Sequence, residues 1–363
     1  MWTAKDYQFM SRAIQLAKHG QYTCDPNPIV GCVITKKDCV IAEGWHELSG
    51  NSHAEINALN TCDDSEGSTM YVTLEPCTYQ GKTPPCVDAL VDAKVKMVII
   101  SMVDPNPKVS GLGISRLKQA GIVVKEGLLE SETKKLNIGF IKRMTLGLPY
   151  ITCKMAQSLD GGTALTNGNS QWITSDEARN DVHHLRAASS AILTSAETII
   201  RDDPRLNPRD LDFDFKEPIR VIIDRNFRVP QKAKIFDLEG KTVIYTQIEE
   251  RVAEKEFKNR NTEVVFLPKS ETWLNDACRH MANEYEVNNV LVESGATFAG
   301  TMIDEGLIDQ LVIYIAPKLL GNEALPLFRM KQINEINLAK KYEFIDIRKV
   351  GKDLRLVMKK KKQ

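Results

Sequence analysis

The chain has 363 residues, of which 42% are hydrophobic and 26% charged, and this composition is typical of a folded globular protein rather than a disordered or fibrous one. Its 48 basic residues balance 48 acidic ones, so it lacks the basic excess that is typical of proteins binding nucleic acid or anionic membranes. At roughly 150 residues per domain the length predicts two domains, although a single barrel is also compatible with it.

Periodic apolar residues predict an α/β first half that begins with an amphipathic helix over Thr3–His19. Strands are then predicted over 29–34, 40–45, 70–74 and 95–102, with helices from His53, after Pro85 and over 130–146. Gly147-Leu148-Pro149 combines a helix stop with a helix breaker, which predicts a first domain over 1–148 and a second over 149–363.

The second half repeats the alternation of strands and helices that is typical of α/β proteins. Strands are predicted over 150–156, 219–224, 242–246, 290–293, 310–316 and 354–358, with a helix over 176–188. Residues 290–300 form a predicted strand, glycine turn and helix start, and the backbone amides of such a turn suit phosphate. The signal is weak because the three-glycine dinucleotide fingerprint is absent.

Three side chains of the first half suggest a zinc site. His53 begins a predicted helix, Cys77 follows a predicted strand, and Cys86 begins the next predicted helix. One imidazole and two thiolates leave a fourth ligand position open, as in catalytic rather than structural zinc sites. Glu55 lies two residues from His53 and can move protons without being a ligand. The pattern matches the zinc deaminases, except that eight residues rather than two separate the cysteines.

The segment 1–20 lacks the apolar block and cleavage site of a signal peptide, and no apolar stretch reaches the roughly 20 residues that cross a bilayer. We therefore expect a cytoplasmic protein with no membrane partner. Eight cysteines in such a chain predict reduced thiols rather than disulfide bonds.

Further motifs of the first half surround these residues. They are Pro26-Asn27-Pro28-x-Val30-Gly31, Gly44-Trp45-His46, Gly81-Lys82-Thr83-Pro84-Pro85-Cys86 and Asp104-Pro105-Asn106-Pro107. In the second half stand Lys154-x-Ala156-x-Ser158-Leu159-Asp160-Gly161, Ser170-Gln171-Trp172-Ile173-Thr174-Ser175 and Asp181-Val182-His183-x-Leu185-Arg186. On these motifs the sequence resembles the family of bifunctional riboflavin biosynthesis deaminase-reductases.

The resemblance implies an N-terminal cytidine-deaminase-like three-layer α/β/α domain that contains zinc. This domain is expected to remove the 2-amino group of 2,5-diamino-6-(5-phosphoribosylamino)pyrimidin-4(3H)-one. A dihydrofolate-reductase-like α/β domain is then expected to use NADPH to reduce the ribosyl group to ribityl. We expect the chain to bind a small-molecule substrate and to form a homo-oligomer. We expect no nucleic-acid partner.

The resemblance also assigns residues. Glu55 is the expected catalytic group and His53, Cys77 and Cys86 the expected zinc ligands. Substrate contacts are expected at Asn27, His46, Lys82, Ser170, Arg186, Leu206, Arg209 and Glu293. Cofactor contacts are expected at Ala156, Trp172, Thr198, Asp202, Gly295, Ala296, Thr297, Phe298, Ala299, Gly300 and Thr301.

Several of these residues also have a simpler interpretation. Without the resemblance, Asn27 is a turn former and His46 a surface residue at a strand end. Lys154 is equally well interpreted as a charged residue at a strand end. His183 is equally well interpreted as a packing residue on a helix. Tyr79 stands where the family usually has histidine, which predicts weaker phosphate binding because a phenol brings no positive charge.

Two other functions use the same features. A nucleic-acid base deaminase would share the zinc ligands, but it predicts a basic first half, whereas residues 1–148 contain 16 basic and 16 acidic groups. A non-catalytic protein could bind structural zinc in one domain and a regulatory nucleotide in the other. Glu55 argues against this, because a structural zinc site needs no free carboxylate.

Overall fold

The computed structural model describes residues 1–79, 84–168, 172–248 and 261–361. The chain divides into two compact units, Met1–Leu148 with Asp214–Lys216, and Pro149–Phe213 with Glu217–Gln363. Within these described ranges, none of the helices combines the length and the apolar character that a membrane crossing requires.

The first unit contains six helices and five strands among its described residues. In chain order they are α1 (Ala4–Ala17), β1 (Gly31–Lys36), β2 (Cys39–Trp45), α2 (Ala54–Asn60), β3 (Thr69–Leu74), α3 (Cys86–Asp92), β4 (Met97–Met102), α4 (Leu112–Gln119), β5 (Val123–Glu126), α5 (Glu130–Leu136) and α6 (Ile138–Leu146). A short 3₁₀ helix, Lys18–Gly20, follows α1. Thr3, the first residue of the predicted helical segment, is the N-cap of α1, and Asp6 completes a capping box.

The five strands form one sheet in the order β2-β1-β3-β4-β5. β1 is antiparallel to β2 and β3, whereas β3, β4 and β5 are parallel. Alternate residues of the central strands bury opposite faces, so that Ile34 packs in the core on the side of α2 and α3, and Val33 in the core on the side of α1. The predicted α/β/α layering is confirmed for this unit.

One predicted element of this unit is wrong. The expected continuous helix over 130–146 breaks at Asn137, whose side chain is buried. Its Oδ1 accepts a hydrogen bond from Ile29 N at 2.8 Å, and its Nδ2 donates to Ile29 O at 2.9 Å. The carboxamide thus pairs with the backbone that follows the Pro26-Asn27-Pro28 motif. A contact 108 residues away overrides the local helical pattern.

The second unit contains four helices and eleven strands among its described residues. They are β6 (Tyr150–Ser158), β7 (Gly162–Ala164), α7 (Asp176–Ala187), β8 (Ala191–Ser195), α8 (Ala196–Asp202), β9 (Ile219–Ile223), β10 (Thr242–Thr246), β11 (Thr262–Phe266), α9 (Trp273–Glu284), β12 (Asn289–Glu293), α10 (Ala296–Asp304), β13 (Gln310–Ala316), β14 (Leu325–Pro326), β15 (Tyr342–Val350) and β16 (Asp353–Lys360). Two short 3₁₀ helices lie at Lys234–Asp237 and Ile336–Leu338.

Nine of these strands form one sheet in the order β11-β10-β9-β8-β12-β6-β13-β16-β15. The first seven are parallel, and among them β8, β9, β10 and β12 are nearly continuous buried runs, as expected of strands covered on both faces. β16 and β15 are antiparallel, and β15 forms the edge of the described sheet. The predicted α/β class is confirmed here, but β15 has no buried alternation and was not predicted.

We expect Asn137→Asp to destabilise the first unit by about 2–3 kcal/mol, because an aspartate cannot donate to Ile29 O and would bury a charge there. Hydrogen exchange of peptides covering β1 measures the effect. Asn51→Asp, at an exposed loop position, is the matched control and should leave the exchange rates unchanged. Equal protection of β1 in both variants would contradict the anchoring role of Asn137.

Candidate functional site

Three predicted ligands converge beyond the carboxyl end of β3. His53 is the N-cap residue of α2, Cys86 is the first residue of α3, and Cys77 lies three residues after β3. The Nδ1 atom of His53 is 3.2 Å from Cys86 Sγ and 3.6 Å from Cys77 Sγ. All three ligand atoms lie within 4.8 Å of one another, which makes this group a candidate metal site.

The spacing of these atoms fits zinc. A tetrahedral ion with Zn–N bonds of about 2.0 Å and Zn–S bonds of about 2.3 Å holds nitrogen and sulfur ligands about 3.5 Å apart. The observed N–S distances of 3.2 and 3.6 Å lie on either side of that value. Two soft thiolates and an imidazole also favour zinc over magnesium or calcium.

The electrostatics of the thiols fit the same role. A hydrogen bond from Cys86, together with those from His53 and the Cys86 backbone, lowers the pKa of Cys77 to about 4 despite its burial. The shared hydrogen bond and burial raise the pKa of Cys86. Of the two sulfurs, Cys77 therefore ionises first and provides a thiolate, the form that binds metal.

Glu55 lies in the first turn of α2 and is only 3% exposed. Burial raises its pKa above the ordinary range of a glutamate. A carboxyl group with a raised pKa holds a proton more readily than an ordinary glutamate, which suits a group that must both accept and donate one. The side chain is thus placed and tuned for proton transfer beside the three candidate ligands.

Two predicted substrate residues lie beside this cluster. The Nδ2 atom of Asn27 is 3.0 Å from His46 Nε2, and the His46 ring packs edge-on against His53 with centroids 5.4 Å apart. His46 is 2% exposed, so its interpretation as a surface residue is wrong. Its Nδ1 lies 3.0 Å from Ser52 O, and burial lowers its pKa, which favours a neutral ring that accepts from Asn27.

Other residues of the first site stand as follows. Lys82 lies outside the described residues, so its predicted phosphate contact stays a prediction. Tyr79 is 54% exposed. Asp104 is buried, which raises its pKa to about 6, and the negative charge of Cys77 acts in the same direction. The sequence gave no indication that Asp104 and Cys77 interact, apart from the presence of Asp104 in a motif.

A second cluster of charged side chains lies in the second unit. Parallel pairing of β12 with β6 places Glu293 beside Lys154, whose Nζ is 3.9 Å from Glu293 Oε2. Arg186, on α7, binds the same carboxylate with Nε–Oε1 at 2.6 Å and Nη2–Oε2 at 3.0 Å. The second unit therefore holds a bidentate ion pair with a lysine next to it.

Burial alone would raise the pKa of Glu293, but the charge and hydrogen bonds of Arg186, with the charge of Lys154, lower it to about 2. Burial lowers the pKa of Lys154. The pKa of His183 falls to about 4 through burial and the charges of Arg186 and Arg209, so this ring is neutral at pH 7. Nη1 of Arg186 lies 3.4 Å from Nδ1 of His183. Because a guanidinium only donates, Nδ1 of His183 is the acceptor.

Lys154, His183 and Arg186 line a cavity of about 380 Å³ together with Arg209, Trp172 and Tyr314. Arg209 has a side chain that is 47% exposed, whereas that of Arg186 is 13% exposed and already engaged. Leu206 is buried in the apolar core, so a substrate contact there would involve its backbone. Ser170 lies outside the described residues and stays a prediction.

The turn between β12 and α10 is the predicted phosphate site. Gly295 is the N-cap residue of α10 and makes no side-chain cap, which leaves the amides of the first turn available to a ligand. Apart from its two neighbours in the chain, no described residue places an atom within 4 Å of the position that a Cβ on Gly295 would occupy. The buried Oγ of Ser294 has no hydrogen-bond partner among the described residues. Open space, amides and an unpaired hydroxyl fit a phosphate-bearing cofactor.

The remaining predicted cofactor residues lie in different environments. Gly300 is buried against another segment, because a Cβ there would lie 2.0 Å from Arg329 O, and this contact explains the glycine without a cofactor. Ala299 is also buried, whereas Ala296, Thr297, Phe298 and Thr301 are half-buried or exposed. Their cofactor contacts stay predictions.

Four cofactor predictions concern residues elsewhere in the second unit. Ala156, on β6, pairs with Tyr314 of β13. Trp172 is 62% exposed, and its ring packs against the Arg179 guanidinium at 4.4 Å. Thr198 and Asp202 lie on α8, where Thr198 N donates to Ser195 Oγ at 3.4 Å.

Both halves of the chain match known family models. Residues 3–102 match the cytidine and deoxycytidylate deaminase zinc-binding region, and residues 149–356 match the RibD C-terminal domain. The riboflavin biosynthesis protein RibD of Escherichia coli is 43% identical over 96% of this chain and 98% of its own length. The RibD protein of Haemophilus influenzae is 39% identical over 98% of this chain and 97% of its own.

Solved structures agree with these matches over nearly the whole chain. The structure of Acinetobacter baumannii RibD superposes with a TM-score of 0.92 at 40% identity and covers 99% of both chains. A Thermotoga maritima diaminohydroxyphosphoribosylaminopyrimidine deaminase/5-amino-6-(5-phosphoribosylamino)uracil reductase superposes with a TM-score of 0.87 at 34% identity, covering 98% of this chain and 99% of that one. The chain belongs to the RibD family of riboflavin biosynthesis proteins.

Proposed function

We propose that this chain catalyses two consecutive steps of riboflavin biosynthesis, a hydrolytic deamination followed by a reduction. Residues 1–148 form the deaminase domain, which acts on 2,5-diamino-6-(5-phosphoribosylamino)pyrimidin-4(3H)-one. Residues 149–363 form the reductase domain, which uses NADPH to convert the ribosyl group of the deaminated product to ribityl. The observation that carries the proposal is the convergence of His53, Cys77 and Cys86 beside the buried Glu55.

In the deaminase domain, His53, Cys77 and Cys86 hold zinc. Zinc bound there supplies a Lewis acid that lowers the pKa of a water molecule toward neutrality. Glu55 accepts the proton of the attacking water and delivers a proton to the ring or to the departing amine, so that a C–O bond forms and ammonia leaves. Asn27 and His46 bind the substrate, and the hydrogen bonds of His46 to Asn27 and Ser52 fix its ring.

In the reductase domain, the turn at Gly295 holds the phosphates of NADPH, which supplies the hydride that reduces C1′ of the opened ribose. Arg209 binds the substrate phosphate, because its guanidinium lines the cavity and is half exposed. Glu293 holds the guanidinium of Arg186, which lines the cavity, in place.

Incubation with the diaminopyrimidine ribosylamine phosphate, with and without NADPH, tests both steps at once. We expect ammonia in both reactions and oxidation of NADPH in step with ammonia when the cofactor is present. A tRNA stem-loop offered as the alternative substrate should release no ammonia. Absence of ammonia from the free pyrimidine phosphate would contradict the proposed substrate.

We expect Glu55→Gln to slow ammonia release by about 10²–10⁴-fold, because the variant loses proton transfer but retains all three ligands. Its zinc content should stay at one ion per chain, and its reduction of the deaminated substrate should equal that of the wild type. Cys77→Ser should instead lose zinc and deamination together. Cys39→Ser, at an exposed cysteine, is the matched control and should change neither. Full ammonia release by Glu55→Gln would identify the zinc as structural.

We expect Arg209→Gln to raise the KM of the reduction about 10- to 100-fold with little change in kcat, because one charge-assisted hydrogen bond to phosphate is lost. Steady-state oxidation of NADPH with deaminated substrate measures both constants. Arg201→Gln, which removes an exposed arginine paired with Glu197, should behave like the wild type. An unchanged KM for Arg209→Gln would exclude its contact with the phosphate.

We also propose that the chain forms a homo-oligomer through β15. Phe344, Ile345 and Ile347 are 61%, 58% and 58% exposed on this strand, which ends the described sheet. Apolar edge strands with free backbone groups readily pair with a second chain, and a copy of the same strand is self-complementary about a twofold axis. Cytoplasmic location and the lack of a nucleic-acid partner stay predictions of the sequence.

We expect light scattering to give a multiple of the 40.8 kDa chain mass, and the double variant Phe344→Lys and Ile347→Lys to weaken association by at least about 100-fold. Val123→Lys places the same charge on β5, the edge strand of the other sheet, and serves as the control. A wild type that is monomeric at every concentration would rule out the oligomer, and association retained by the double variant would rule out β15.

A further inference from the structure

Glu75 is a buried carboxylate in the first unit, one residue beyond the end of β3. Its Oε2 accepts hydrogen bonds from Asp104 N at 3.1 Å and Gly111 N at 3.0 Å. Its Oε1 accepts from Gly113 N at 2.9 Å and Ile114 N at 3.2 Å. A carboxylate offers about four acceptor sites, so backbone amides occupy its full capacity.

Three of these amides belong to the start of α4. The first turn of a helix has N–H groups without partners inside the helix, and the N-cap residue Gly111 has no side chain to satisfy them. Glu75 caps α4 from a different element and places a negative charge at the positive end of its dipole. The carboxylate thus joins the end of β3 to α4.

Close packing strengthens this joint. A Cβ on Gly113 would lie 2.2 Å from Pro76 O, so only glycine allows α4 to approach the backbone next to Cys77. On its other side, Cys77 is tied to α3, since Val87 N donates to Cys77 O at 3.2 Å and Cys86 N lies 3.4 Å from Cys77 Sγ. The segment 75–77 is therefore held between two helices.

We propose that Glu75 is a positioning residue for zinc: its carboxylate clamps segment 75–77 onto α4 and so fixes Cys77 at the distance from His53 and Cys86 that the ion requires. This inference rests on the zinc site of the proposed deaminase. Groups that orient metal ligands from outside the first coordination shell typically contribute 10- to 100-fold to metal affinity.

Two variants disturb the clamp from opposite sides. Glu75→Gln keeps the shape of the side chain but replaces one oxygen by an NH₂ group. The NH₂ group is itself a donor, so it cannot accept the hydrogen bonds of the two backbone amides that the oxygen accepted. Gly113→Ala keeps the carboxylate and forces α4 away from Pro76. Competition with a chromophoric chelator should show a zinc Kd raised about 10- to 100-fold in each.

Cobalt(II) distinguishes positioning from a general loss of stability. Its ligand-field and thiolate charge-transfer bands depend on the placement of the two sulfurs, so both variants should shift these bands at full cobalt occupancy. Glu66→Gln, at an exposed glutamate, and Ser115→Ala, at an exposed position on α4, are the matched controls. Both controls should retain the zinc Kd and the cobalt spectrum of the wild type. Reduction of the deaminated substrate should be unchanged in all four variants.

Each result decides between the proposals. A wild type that binds no zinc contradicts the proposed deaminase itself. If the wild type binds zinc, an unchanged Kd and cobalt spectrum in Glu75→Gln overturns the clamp alone. If Glu75→Gln does not bind one metal ion per chain at saturation, the result for Gly113→Ala decides. If Gly113→Ala also binds less than one ion, Glu75 is required for folding and its positioning role is overturned.

Discussion

Both candidate sites depend on negative charge that is buried and compensated by nearby groups. Removing a carboxylate or thiolate from water is costly unless hydrogen bonds or opposite charges replace the lost hydration. Arg186 and Lys154 provide that compensation for Glu293, and four backbone amides provide it for Glu75. At the sulfurs of Cys77 and Cys86, a bound cation would provide the compensation that two thiolates require.

Strand register brings these charges together. β6 and β12 are separated by well over a hundred residues in the chain, yet their parallel pairing places Lys154 directly opposite Glu293. In the first unit, Glu75 and then Cys77 follow the carboxyl end of β3, and His53 is the N-cap residue of α2. Helices supply the remaining partners, because α7 carries Arg186 and α3 begins with Cys86.

The sequence predicted those features that depend on local pattern. Most buried parallel strands were confirmed because apolar runs bounded by turns leave few alternatives, and 242–246 and 310–316 match their strands without change. The buried strand β8 was not predicted. Features set by distant contacts were missed. His46 is buried although it follows the end of a strand, and Asn137 breaks a helix by bonding Ile29. The edge strand β15 alternates no buried residues, so periodicity could not reveal it.

The spacing of the two cysteines explains why the site needs an anchor such as Glu75. With two residues between them, one helical turn can carry both thiolates on the same face. Here eight residues intervene, and only Cys86 lies on a helix. The helical backbone fixes Cys86, but Cys77 follows a strand and gains no such constraint from its own segment. Its position therefore depends on hydrogen bonds to neighbouring elements, with α3 on one side and, through Glu75 and Pro76, α4 on the other.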